Sequence, residues 1–152
     1  MRRSYVWIVA VGLLVSAGAA FVRLGHPPAA RAQTGCGSGT LQGTYGMHIQ
    51  GWVPSSSPAA TPVPFAQIGL LTVDGAGSAR LAVTSNGGGQ ISRDTFTYTY
   101  QVNPDCTGSI TPAPGIMAGP GDFIVVDGGK QLFLVVTVGQ TGMVMSGLAI
   151  RQ

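Results

Sequence analysis

The stretch DTFTYTYQVNPDC, residues 94 to 106, alternates Phe96, Tyr98, Tyr100 and Val102 with Thr95, Thr97, Thr99 and Gln101, then breaks at Pro104 and Cys106. Period two sends the aromatic residues to one face and the threonines to the other, the pattern of a half-buried β-strand. That wall faces a plain core, a ligand or a partner chain.

The same alternation recurs outward from it. TYGMHIQGW (44 to 52), FAQIGLLTV (65 to 73), SARLAVTS (78 to 85) and QISRDTFTYTYQV (90 to 102) come first. CTGSIT (106 to 111), DFIVV (122 to 126), KQLFLVVTV (130 to 138) and MVMSGLAIRQ (143 to 152) follow. Glycine, asparagine and proline punctuate them, and no helical period appears. Asp74-Gly75-Ala76-Gly77 and Asn86-Gly87-Gly88-Gly89 are hairpin signals, because these residues adopt the positive φ angles of tight turns. Two looser loops, 53 to 64 and 112 to 121, are rich in proline. Most connections are too short for a crossover helix, so sequence neighbours pair antiparallel. The eight strands form an all-β domain, an up-and-down barrel, with a two-sheet sandwich as the alternative.

Ahead of this domain, Arg2 and Arg3 precede an apolar run from Val6 to Val22, and Ala30-Arg31-Ala32 supplies a small-x-small site. This is the layout of an export signal, so residues 1–32 read as a helical signal peptide and residues 33–152 as the barrel domain. An uncleaved anchor is the alternative, the run being near the lower limit for spanning about 30 Å of hydrocarbon. The arginine pair fits a twin-arginine route as well as general secretion. A lipoprotein reading through Cys36 fits less well, because Gln33-Thr34-Gly35 offers no apolar residue before it.

Export changes the electrostatics. From residue 33 onward four basic residues face five aspartates, a net charge of −1, so the pI near 9.2 belongs to the whole chain. With no basic cluster left, nucleic acid is not an expected partner, and contact with a membrane is expected only through the signal segment. The expected location is the periplasm or the exterior. The two cysteines, Cys36 and Cys106, form an even set in an exported chain and are expected to make one disulfide. Zinc would need close Cys or His pairs, and beyond the signal the sole histidine is His48.

The pattern of Cys36, Leu41 to Gly46, Asp74 to Gly77, Tyr100 to Gly108, Ser146-Gly147 and Arg151-Gln152 resembles a family of small secreted bacterial proteins without assigned function. That family is distantly similar to the allene oxide cyclase barrel and the wider calycin group. The resemblance spans nearly all of residues 33–152 and implies a barrel with an apolar cavity. The plant cyclases bind an unstable fatty-acid epoxide and use an acidic residue in the cavity. This chain has no glutamate, and none of its aspartates matches the family position, so no catalytic residue carries over.

The inventory for chemistry is short. Asp74, Asp105 and Asp127 sit beside turns, where carboxylates bond backbone amides. A calcium loop, a Gly-x-Ser-x-Gly elbow and a phosphate-cradling Gly-Lys-Ser/Thr ending are all absent from the sequence. No catalytic residue, metal ligand or cofactor is therefore assigned. The residues expected to line a lumen are Phe96, Tyr98, Tyr100, Trp52 and Met47, with Met143 and Met145 as fillers. Three readings follow. The first is an exported non-catalytic barrel that binds a small apolar ligand. The second is a surface protein that forms a homo-oligomer through the doubly apolar strands at Ile124 to Val126 and Phe133 to Val136. The third is a lipid isomerase or cyclase, for which Asp94, sharing the face of Phe96, would be the acid or base.

Overall fold

The computed structural model describes residues 35–55, 61–116, 118–138 and 143–152. The signal segment expected over residues 1–32 lies outside them. Eight strands appear in sequence order: β1 (Gln42–Val53), β2 (Val63–Asp74), β3 (Ser78–Gly87), β4 (Gln90–Val102), β5 (Thr107–Pro112), β6 (Gly121–Val126), β7 (Gln131–Val136) and β8 (Val144–Arg151). Each pairs antiparallel with the next, and β8 returns to pair with β1, so the sheet closes on itself as a barrel. The sandwich alternative is excluded by that last ladder.

Alternation sets the inside. Along β3 the side chains of Ala79, Leu81, Val83 and Ser85 are buried while Arg80 and Ala82 are exposed. On β4 Tyr98 and Tyr100 are buried with Thr97, Thr99 and Gln101 outside. The inward residues of all eight strands merge into one core that includes Leu71, Phe123, Val125 and Leu132. Burying such side chains contributes about 1.5–3 kcal/mol each.

Two strand ends run further than the sequence signals imply. Val53 pairs with Val63, so β1 and β2 continue into the proline-rich stretch until the ladder ends. Pro64 lacks an N–H but stands near that end, and its carbonyl accepts from Gly88 N at 3.0 Å. The β3–β4 turn is made by Gly88 and Gly89 with φ of 58° and 88°, values that L side chains resist, and Asn86 Oδ1 accepts from Gly89 N at 3.0 Å. The β2–β3 turn is fastened by Asp74, whose Oδ1 accepts from Ala76 N at 2.8 Å and Ser78 N at 2.9 Å. Those amides hold the Asp74 carboxyl below its ordinary range.

One end of the barrel is plugged by the residues ahead of β1. Cys36 is joined to Cys106, a separation of 70 residues, and both are buried. A short 3-10 turn, Ser38–Thr40, follows, and then Leu41, almost wholly buried. Tyrosine hydroxyls clamp this segment. Tyr100 Oη donates to the carbonyls of Leu41 at 3.1 Å and Ser38 at 3.2 Å. Tyr45 Oη donates to the carbonyl of Gly129 in the β6–β7 turn. Cys106 itself has φ of 68°, the left-handed region, which is why β5 begins one residue after it rather than at it. Asp105 Oδ1 accepts from Thr107 N at 3.0 Å and secures that bend.

Closing a loop of this length stabilises the fold by roughly 4 kcal/mol on the chain-entropy account. Replacing both cysteines by alanine is therefore expected to lower stability by about that amount. Urea unfolding of the two proteins measures it, and equal midpoints would show that the tyrosine clamps hold the plug alone.

Candidate functional site

Inside the barrel lies a cavity of about 340 Å³, running from Leu41 at the plug to Val53 and Phe65 at the opposite end, here called the mouth. Its walls are mostly aliphatic and aromatic, with Met47, Leu71, Leu81, Phe96 and Phe123 among them. Enclosed apolar pockets of roughly 300–1,000 Å³ are the usual size for small-molecule sites.

The barrel is uneven in height. The strands β1 to β4 have 12, 12, 10 and 13 residues, whereas β5, β6 and β7 have 6 each. β5 pairs with β4 only from Tyr98 to Val102, so the first half of β4 is laddered to β3 alone. The loop after β5 closes part of the gap, with Ala118 and Gly119 lining the cavity and Ala113 N donating to Thr97 O at 2.9 Å.

Among the residues expected in the lumen, Met47, Phe96, Tyr98 and Tyr100 do line it, as do Met143 and Met145. Phe96 and Tyr98 meet edge to face with ring centres 6.5 Å apart. Trp52 does not belong to the lining: it is 53% exposed on the outer surface. The reason is parity. Met47 and Trp52 are an odd number of residues apart on one unbroken strand, so they point to opposite faces, and Val53 takes the inward place. His48 is exposed for the same reason. Asp94 shares the face of Phe96 and reaches the cavity, but it sits exposed near the mouth and not buried within.

Two features of the lumen escaped the sequence reading. The first is a polar strip on the tall wall. Gln67 on β2 and Ser85 on β3 are only 9% and 8% exposed, and Gln67 Nε2 donates to Ser85 Oγ at 3.0 Å. Ser85 pairs in turn with Ser92 on β4, and Asp94 follows Ser92 on the same face. The second is glycine at inward positions. A Cβ on Gly69 would stand 2.3 Å from the Ala82 carbonyl oxygen and 2.8 Å from Val83 Cγ1, so no side chain fits where β2 and β3 approach. The available signal was polar Gln67 and Gly69 at the inward parity of an otherwise apolar strand.

Burial raises the pKa of Tyr45, Tyr98 and Tyr100 above the ordinary 10.0, opposed at Tyr45 by Arg151 and at Tyr100 by backbone amides. No protein-family model, curated protein or solved structure matches this chain. What the geometry of the described residues defines is a closed β-barrel with one plugged end and a ligand-sized apolar cavity.

A raised tyrosine pKa means that the fold favours the neutral hydroxyl. That stabilisation is complete below the ordinary value of about 10 and is lost as pH rises through the folded values. The chain from Gln33 onward carries only these three tyrosines. Its phenolate absorbance is expected to lag behind free tyrosine in alkali and then to rise together with unfolding. Ionisation of all three at the ordinary value would contradict the buried clamps.

Proposed function

We propose that this chain is an exported, disulfide-tied β-barrel that carries a small apolar molecule in its lumen and does not transform it. The observation that carries this reading is the cavity of about 340 Å³, walled by apolar side chains and closed at one end by a cross-linked plug. A disulfide of this kind persists in oxidising compartments, which supports the periplasm or the exterior as its place. The likeness of the turns and cysteines to small secreted bacterial proteins with a calycin-type barrel belongs to the same reading.

A catalytic role has less support. Among the described residues lining the lumen, Asp94 is the one carboxylate, no histidine stands beside it, and its exposure leaves it close to water. The apolar lumen is the reverse of the wet interior of a lipid-facing barrel, and the outer face of β3 is polar, with Arg80 and Asn86 exposed. The lumen supports a barrel surrounded by water.

A second reading rests on the outer surface. Ile124, Phe133, Leu148, His48 and Ile68 are lateral partners from β6 across β7, β8 and β1 to β2, and Ile124, Phe133 and Ile68 are exposed. An apolar belt of this extent favours self-association.

The two readings separate cleanly. The neutral probe N-phenyl-1-naphthylamine is expected to brighten on binding and to saturate at one per chain. Ala118→Trp, which places a large ring at the cavity wall, is expected to weaken it about tenfold or more. No saturable binding would overturn the carrier reading. Sedimentation at rising concentration tests the other: oligomers abolished by Phe133→Ser support it, and a monomer throughout removes it.

A further inference from the structure

The lumen is not uniform along its length. Its floor, near the plug, is formed by Leu41, Leu71, Leu132 and Phe123. Apart from the hydroxyls of Tyr98 and Tyr100 deeper in, its polar side chains gather on the tall wall toward the mouth, where Gln67, Ser85, Ser92 and Asp94 follow one another across β2, β3 and β4. A guest that fills such a cavity is therefore amphiphilic, with its apolar body toward the plug and its head against this strip.

The chemistry of the strip narrows the head. The Asp94 carboxylate only accepts hydrogen bonds. The Ser85 hydroxyl already accepts from Gln67 and keeps its own proton to donate, while Gln67 keeps an amide oxygen that accepts. Asp94 is the one charged side chain among the described residues lining the cavity, with no Lys, Arg or His to oppose it. A carboxylate or phosphate head would bring a second negative charge beside Asp94 with no counter-charge on the cavity wall, a repulsion that the water at the mouth reduces but does not remove. A head that donates hydrogen bonds and carries no negative charge meets acceptors already in place.

We infer that the lumen selects amphiphiles with a hydrogen-bond-donating head, a hydroxyl or a protonated amine, and rejects those with an anionic head. The cavity of about 340 Å³ holds roughly eleven groups of the size of a water, taken at about 30 Å³ each, so the body is a medium-length chain or a small ring system. This inference rests on the carrier reading and assigns the polarity of that same site.

The test is displacement of N-phenyl-1-naphthylamine by decanol, decylamine and decanoate, each below its micellar range, on the full disulfide-bonded protein. The three share a tail and differ in the head. Decanol and decylamine are expected to compete at least about tenfold better than decanoate. In Asp94→Asn the carboxylate is removed at a position near the mouth. There decylamine is expected to weaken and decanoate to gain, while decanol changes little. An unchanged melting temperature confirms that the variant is folded. Equal displacement by all three, or preference for decanoate, would overturn the head selectivity and leave the carrier reading standing. An order unmoved by Asp94→Asn would remove Asp94 as its source and overturn the inference in that form. Failure of the probe itself to bind would overturn both.

Discussion

The ladder between the first and last strands is the constraint on which the rest of the molecule depends. A meander of eight strands ends in two edges, each a row of unpaired backbone donors and acceptors. Pairing β1 with β8 from Tyr45 opposite Arg151 to Trp52 opposite Val144 removes both at once. The ladder needs close approach to form. Gly147 faces Ile49 in it, and a Cβ there would lie 2.2 Å from the His48 carbonyl oxygen and 2.8 Å from Ile49 Cγ1. A side chain at this position would push the closing strand away, and the barrel would keep its edges.

Closure leaves a tube with two ends, and the chain treats them differently. Cys36 and Leu41 enter one end as a stopper, which the disulfide to Cys106 fixes to the start of β5. The hydroxyls of Tyr45 and Tyr100 then satisfy backbone carbonyls of Gly129, Ser38 and Leu41. A buried carbonyl left unpaired costs about 1–3 kcal/mol, so these two tyrosines make it affordable for irregular backbone to sit inside the barrel. Leu41 and Tyr100 also line the cavity. Whatever loosens the stopper therefore alters the floor of the lumen.

Much of this was legible in the sequence because it is written in alternation and turn chemistry. The eight strands, the hairpins at Asp74 to Gly77 and Asn86 to Gly89, and the Cys36–Cys106 bridge each have a local signal that the structure realises. The error at Trp52 came from choosing by residue type, since a large aromatic suggests a lumen, where counting along β1 from Met47 would have sent it outward. The inward glycines were hard to read for a different reason. Hydrophobic patterns register side chains that are present, and Gly69 and Gly147 act through the absence of one, at contacts with β3 and β1 that strand register brings together. The polar strip is likewise a product of register: Gln67, Ser85 and Ser92 lie on three strands, and each alone reads as an ordinary polar residue.

The unequal height of the two walls explains why that strip lies where it does. Deep in the barrel, β4 has partners on both sides, and its inward residues there, Tyr98 and Tyr100, are large and buried. Nearer the mouth, β5 has ended and β4 stands against β3 alone. Solvent reaches the side chains of Ser92 and Asp94, so polar groups cost little there, whereas the same residues beside Leu71 or Leu132 would have to be desolvated without partners. Gln67 and Ser85 mark the transition, buried but bonded to each other. The gradient from apolar floor to polar mouth is thus a consequence of strand length before it is a property of any ligand.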